Sequence, residues 1–171
     1  MADFFDLDPD HTFFGGDPTL IITGDKGVGK TTLLQKVIQK SDASFYGILS
    51  QRFQKGYYVT DIQTGETRIL CSTDPVGIKI RRFYFDPQSL AFIERSLQRT
   101  GDILIYDEIG WMETESAFDI WKYLREPALL IVRQELVDMV SRKFPVTLFT
   151  VTEDNRDISV DILVEKVSHM T

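Results

Sequence analysis

The sequence predicts an α/β fold: a mostly parallel sheet with helices on both faces, carrying an antiparallel β-hairpin insertion. Three observations predict it. Short apolar runs, TLIITG (19–24), DILIYDE (102–108), PALLIV (127–132) and PVTLFTV (145–151), have the length and branched content of strands buried on both faces. Segments with helical periodicity alternate with these runs, the pattern of strand–helix–strand units. Between the first and second runs, residues 45–85 change character and read as antiparallel strands.

In chain order, residues 1–17 lack clear periodicity and read as an N-terminal arm; residues 18–171 read as one domain. Phe4, Phe5, Phe13 and Phe14 of the arm are expected to dock onto the body, because four exposed phenylalanines would form an apolar patch. After the first strand, Leu33, Leu34, Val37 and Ile38 recur at helical spacing over 29–40. In YYVTDIQTGETRIL, Thr64-Gly65 is a turn between strand-like runs, which fits a hairpin. IKIRRFYF (78–85) reads as a further strand with a basic edge of Lys79, Arg81 and Arg82. Asp86-Pro87 is a helix start, with Asp86 as N-cap and Pro87 in the first turn. Leu90, Ile93 and Leu97 line that helix, and Gly101 ends it. A helix is expected over 116–124, from Phe118, Trp121 and Leu124 three apart. Another is expected over 133–144 with Leu136, Val137 and Val140 inward, and a last one around 158–167.

Composition bounds the function. At 171 residues, 43% hydrophobic and 26% charged, the chain is an ordinary soluble domain. A net charge of −7 argues against a nucleic-acid backbone as main partner, yet leaves a nucleotide open, since a few local groups hold a phosphate. Cys71 is the one cysteine, so no intrachain disulfide is possible, which suits a reducing cytoplasm. MADFFDLDPDHTFFGG has neither a basic nor an apolar leader region, and no apolar run approaches the ~18 residues of a spanning helix. The expectation is a cytoplasmic protein with no membrane partner, and a monomer. His11, His169 and Cys71 have no metal-ligand spacing around them and read as structural or incidental.

GDKGVGKTT carries the chemistry. Gly24, Gly29, Lys30 and Thr31 fit the phosphate-binding pattern G-x-x-x-x-G-K-[ST]. Its glycines let successive N–H groups of Asp25, Lys26, Gly27 and Val28 turn inward on phosphate oxygens, and the helix that follows adds its positive end. Lys30 is placed to reach the β- and γ-phosphates, Thr31 to ligate Mg²⁺, and Thr32 to close the nucleotide-binding segment. A strand before and a helix after are the context this loop requires, which makes the fold that of a P-loop NTPase. Downstream, Asp107 and Glu108 end an apolar run. In such NTPases the acid at the end of a hydrophobic strand holds the metal, so Asp107 is assigned to Mg²⁺. Glu108 beside it is assigned to orienting an attacking water, which points to hydrolysis rather than transfer. Arg133 and Arg156 follow core strands, at the end of the sheet where α/β folds bind ligands, and are candidates for nucleotide contact; the alternative for each is a surface ion pair. Trp111 reads as a helix-start anchor in preference to a base-stacking platform.

With these parts in view, the chain resembles the small nucleoside-triphosphatases related to the human cancer-related nucleoside-triphosphatase. The resemblance runs over about 19–167, through GDKGVGKTTL, GILS, GYYVTDIQTGE, YDEIGWMETES and VTEDNRD. It implies a P-loop α/β sheet, Mg²⁺ dependence, and hydrolysis of nucleoside triphosphates to diphosphate and phosphate with broad base preference. By motif it also implies roles for Gly110 and Glu113 in the DEIGxME signature, and for Asn155 and Arg156 in the NRD signature. Three features depart from the family: Val132 stands where a His precedes the Arg, Arg52 stands where the hairpin carries a Glu, and the N-terminal segment is long. These bear on rate and regulation rather than class. Two rival functions follow from other features. A nucleotide or nucleoside kinase would use the basic edge at 79–82 for its acceptor. A nucleotide-dependent switch without turnover would use the phenylalanine-rich arm to dock a partner.

Overall fold

The computed structural model describes residues 3–4, 18–115, 118–143 and 145–171. They form a ten-stranded sheet. Its strands are β1 (Asp3–Phe4), β2 (Thr19–Gly24), β3 (Phe45–Phe53), β4 (Gly56–Asp61), β5 (Thr67–Ser72), β6 (Ile78–Ile80), β7 (Phe83–Phe85), β8 (Ile103–Ile109), β9 (Ala128–Val132) and β10 (Thr147–Val151). The order across the sheet is β1-β10-β2-β9-β8-β3-β4-β5-β7-β6. From β1 to β3 every pairing is parallel, and from β3 to β6 every pairing is antiparallel. The expected mostly parallel core with an antiparallel insertion is thus present.

The parallel strands are buried on both faces because their side chains alternate between two helical layers. Leu20 and Ile22 of β2, with Ile103 and Ile105 of β8, meet α1 (Lys30–Lys40) and α5 (Arg156–Met170) through Leu33, Leu34, Val37, Val160, Leu163 and Val167. Ile21, Leu104 and Tyr106 point the other way. They join Phe92, Ile93 and Leu97 of α2 (Pro87–Leu97), and Leu136, Val137 and Val140 around α4 (Val137–Ser141). Each such side chain, fully buried, contributes roughly 1.5–3 kcal/mol. Asp86 caps α2 as expected, its carboxylate accepting the Gln88 N–H at 2.9 Å.

The insertion does not begin where the core ends. The first half of β3 pairs in parallel with β8, Phe45 to Ile103 through Ile48 to Tyr106, while Ile48 through Phe53 pair antiparallel with β4. One strand serves both parts. The run 78–85 is two strands rather than one: β6 and β7 fold back on each other around Arg81, whose φ of 53° lies in the left-handed region. Of the helix expected over 116–124, the described residues 118–124 form no α-helix. A five-residue helix, α3 (Trp111–Glu115), comes earlier, and Trp121–Tyr123 form one 3-10 turn. A constant spacing of three suits a 3-10 turn, not an α-helix, whose face needs alternating steps of three and four. The segment after β9 is likewise shorter than expected, a 3-10 turn over Gln134–Leu136 running into α4, although its inward residues are the expected ones. Of the N-terminal arm, Asp3 and Phe4 add a parallel edge strand beside β10; the docking of Phe4, Phe5, Phe13 and Phe14 lies outside the described residues.

Candidate active site

Two things place the phosphate loop: β2 stops at Gly24 and α1 starts at Lys30. Gly24 must be glycine, because a Cβ there would sit 2.4 Å from the Val151 carbonyl oxygen of β10. Gly29, at φ 102°, turns the chain into the helix. Val28 is the loop's apolar anchor, buried among α1 and α5, whereas Asp25, Lys26, Gly27 and Thr32 are exposed. Lys30 Nζ crosses the loop, donating to the carbonyls of Gly24 at 2.8 Å and Asp25 at 3.0 Å.

The acids arrive from β8, one strand beyond β9. The β8–β9 register shifts between Asp107 and Ile109, so the strict alternation of a strand is broken at this point. Asp107 accepts the Thr31 hydroxyl at 2.7 Å and the Ser50 N–H at 3.3 Å, while the Ser50 hydroxyl donates to the Asp107 carbonyl at 2.6 Å. Burial pushes the Asp107 carboxyl up to about 7, against the opposing hydrogen bond from Thr31. Glu108 is half-buried. Burial raises its pKa too, while Arg133 and Lys30 pull it down. Both acids therefore face the loop.

Gly110 and Glu113 build the support. A Cβ on Gly110 would lie 3.4 Å from Arg133 Cδ and 3.9 Å from a Glu108 oxygen, so Gly110 lies beside both side chains. Buried Glu113 accepts the Tyr106 hydroxyl and the Gly110 N–H, each at 2.8 Å. The second bond is half of a capping box: a glutamate at the third helical position reaching back to the residue before the helix. That signal, GWME, was present in the sequence and marks α3. Burial lifts Glu113 to about 7. Trp111 opens α3, partly buried against the core, as its anchor reading requires.

The late motif lies on the opposite flank. Arg156 opens α5, packs its chain on Gly29 and donates to the Val28 carbonyl at 3.4 Å. With Gly29, Thr32, Leu33, Lys36, Asp157 and Val160 it lines a cavity of about 210 Å³ beside the loop. The Asn155 side chain is used within its own turn, accepting from Thr152 N at 2.8 Å and donating to the Thr150 carbonyl at 3.0 Å. It shapes the loop that delivers Arg156.

Among the described residues no three His, Cys, Asp or Glu side chains gather into a metal cage. The Thr31 hydroxyl against the Asp107 carboxylate is instead a pair of hard oxygen donors. This fits Mg²⁺, which is commonly held by one or two protein oxygens together with substrate phosphates and water.

The family model described as NTPase matches residues 19–164. The nucleoside-triphosphatase THEP1 of Metallosphaera sedula is 32% identical over 157 residues, covering 85% of each chain. That of Methanopyrus kandleri is 28% identical over 170 residues, covering 86% of this chain and 94% of its own. The crystal structure of THEP1 from Aquifex aeolicus superposes with a TM-score of 0.72 at 22% identity, covering 87% of this chain and 98% of that one; it shares the fold. The phosphate loop, the paired acids and the family match lead to one assignment: this chain belongs to the NTPase family.

Proposed function

We propose that the chain hydrolyses nucleoside 5′-triphosphates to diphosphate and phosphate, with Mg²⁺ as cofactor and Glu108 orienting the attacking water. The observation that carries this reading is the placement of Glu108 next to Asp107 at the end of β8, within the field of Lys30, Lys26 and Arg133. A carboxylate there would hold a water in line with the γ-phosphate. The loop N–H groups of residues 24–32 bind the phosphates, and Lys30 neutralises the β- and γ-oxygens as charge shifts onto them. Thr31 and Asp107 would hold Mg²⁺, which supplies electrostatic stabilisation of the same oxygens. Arg156 and the cavity beside Gly29 and Thr32 receive the nucleoside end, with Asn155 holding their loop. Arg133 stands on the phosphate side, near Glu108.

These groups come from one chain within residues 18–171, and the reading is of a monomer. A single, buried cysteine fits the cytoplasm. The test is phosphate release from purified protein with Mg²⁺ and each of ATP, GTP, CTP and UTP, without an acceptor. Release is expected from wild type, with Lys30→Ala inactive. Glu108→Gln is expected to bind the nucleotide normally and lose roughly 10²–10³ in kcat. Wild-type turnover by Glu108→Gln would remove Glu108 from its role, and phosphate release only when an acceptor is added would replace the hydrolase with a kinase.

A further inference from the structure

Three arginines act electrostatically on one lysine of the phosphate loop. Lys26 is in the loop, Arg52 near the end of β3, Arg82 in the β6–β7 turn, and Arg133 directly after β9. Their charges reach Lys26 and hold its ammonium below the usual lysine range: Arg52 contributes most, then burial, then Arg82 and Arg133, with Glu108 opposing. Among the described residues Lys26, Arg52 and Arg82 form no ion pair with a carboxylate, and Arg133 has one long contact, 3.7 Å to Glu135. In a chain with 26 acids against 19 Lys and Arg, that is an unusual place for the cations to be left unbalanced. Like charges held together raise the free energy until an anion joins them.

The two contributors from the insertion are held in place by structure. Ser50 is bonded to Asp107, and Arg52, two residues further along β3, projects from the same face. The β6–β7 turn is fastened to α3. Arg81 lies with its guanidinium 3.8 Å from the Trp111 ring centre and makes a forked pair with Glu115 at 2.7 and 3.2 Å. The Arg133 guanidinium is 5.7 Å from the same ring. Trp111 follows Gly110, so the helix that begins just after the acids also carries the turn that presents Arg82.

We propose that Lys26, Arg52, Arg82 and Arg133 form a subsite for the terminal phosphate, by which this chain binds nucleoside triphosphates in strong preference to diphosphates. The proposal rests on the reading of residues 24–32 as the triphosphate loop. Lys30 and the loop N–H groups hold the phosphates common to both nucleotides, with Lys30 also reaching the γ-oxygens; the four outer cations serve only the phosphate that a triphosphate alone has. Arg81, Trp111 and Glu115 are positioning residues.

The test measures dissociation constants of ADP and of a β,γ-methylene ATP analogue on the full chain with Mg²⁺, for wild type, Arg52→Ala, Arg82→Ala, Arg82→Lys and Glu115→Gln, with Lys79→Ala as control. Arg52→Ala and Arg82→Ala are each expected to weaken the analogue about ten-fold, the worth of one charge-assisted contact, and ADP by less than about two-fold. Arg82→Lys is expected to recover part of the loss, Glu115→Gln to lose about three-fold on the analogue alone, and Lys79→Ala to change neither ligand. Added salt is expected to erode the preference in wild type and not in the double arginine variant. Equal losses for both ligands, no loss, or no triphosphate preference in wild type would overturn the subsite. The outcome is separable from the hydrolase reading. Intact preference effects without phosphate release would leave the subsite and remove the hydrolase; release with a preference indifferent to Arg52 and Arg82 would do the reverse. Thermal melts of each variant, with the conservative Arg82→Lys, separate loss of fold from loss of charge.

Discussion

Two aspartates of this molecule are equally hidden and oppositely treated. Asp61 ends β4 and is 1% exposed; Asp107 is 2% exposed. Burial alone would raise both pKa values. At Asp61 it is outweighed: one oxygen accepts the N–H groups of Gln63 and Thr64, the other the Ser96 hydroxyl at 2.7 Å and Arg99 Nε at 2.8 Å, and the pKa falls. Among the described residues Asp107 accepts two bonds, both on the same oxygen and neither from a cation, and its pKa rises to about 7. A carboxylate that exists to hold the fold is satisfied by the fold. One left short of positive charge at the end of a central strand suits the proposed role of Asp107 in holding a cation from outside.

Three experiments would break or sharpen that contrast. The largest effect is expected from Asp61→Ala, which strands Arg99 and the turn N–H groups: a loss of about 3–5 kcal/mol of unfolding free energy in urea, with turnover per folded molecule unchanged. A loss under ~1 kcal/mol would mean that the network is decorative. Asp107→Asn comes next and has the opposite profile. Phosphate release should drop roughly 10²–10³-fold, while unfolding free energy holds or increases, because an amide removes a charge that the site buries poorly. A large loss of stability there would make the two aspartates alike.

The smallest effect concerns Glu113, a third buried acid. Its folded pKa of about 7 lies above the ordinary glutamate value of 4.5. The stabilisation from its protonated form is thus fully present below about pH 4.5 and lost as pH rises through about 7. Glu113→Gln cannot ionise. In metal-free protein the wild type should lose on the order of 2 kcal/mol relative to this variant between pH 4.5 and 7, read from urea curves at both pH values. Parallel pH profiles would show that Glu113 stays ionised throughout.

The sequence makes the local parts of this picture readable. The loop's glycines and Lys30 sit within a few residues, Asp86-Pro87 announces α2, and Asp107 shows itself by ending an apolar run. Each follows from neighbours in the chain. The bonds of Asp61 to Ser96 and Arg99 join residues 35 and 38 positions apart and have no short-range trace. The same holds for Arg52 and Arg82, whose charges act on Lys26 from the antiparallel part of the sheet. The division of 78–85 turns on a left-handed Arg81, a conformation that arginine does not advertise; Trp111 and Glu115 hold it there. The helix expected over 116–124 differs in kind: Glu113 at the third position after Gly110 is a local signal for α3, and a constant spacing of three does not make an α-helical face.

The double use of β3 has a consequence for how the molecule opens. With the same strand paired to β8 at one end and to β4 at the other, the antiparallel strands have no hinge at which to detach. Amide protons of β4 would exchange with solvent through fluctuations that also loosen the edge of the parallel sheet, so the insertion and the central strands belong to one cooperative unit. Ser50, in the middle of that strand, is bonded to Asp107, and the loosening of the insertion is thereby felt at the acids themselves.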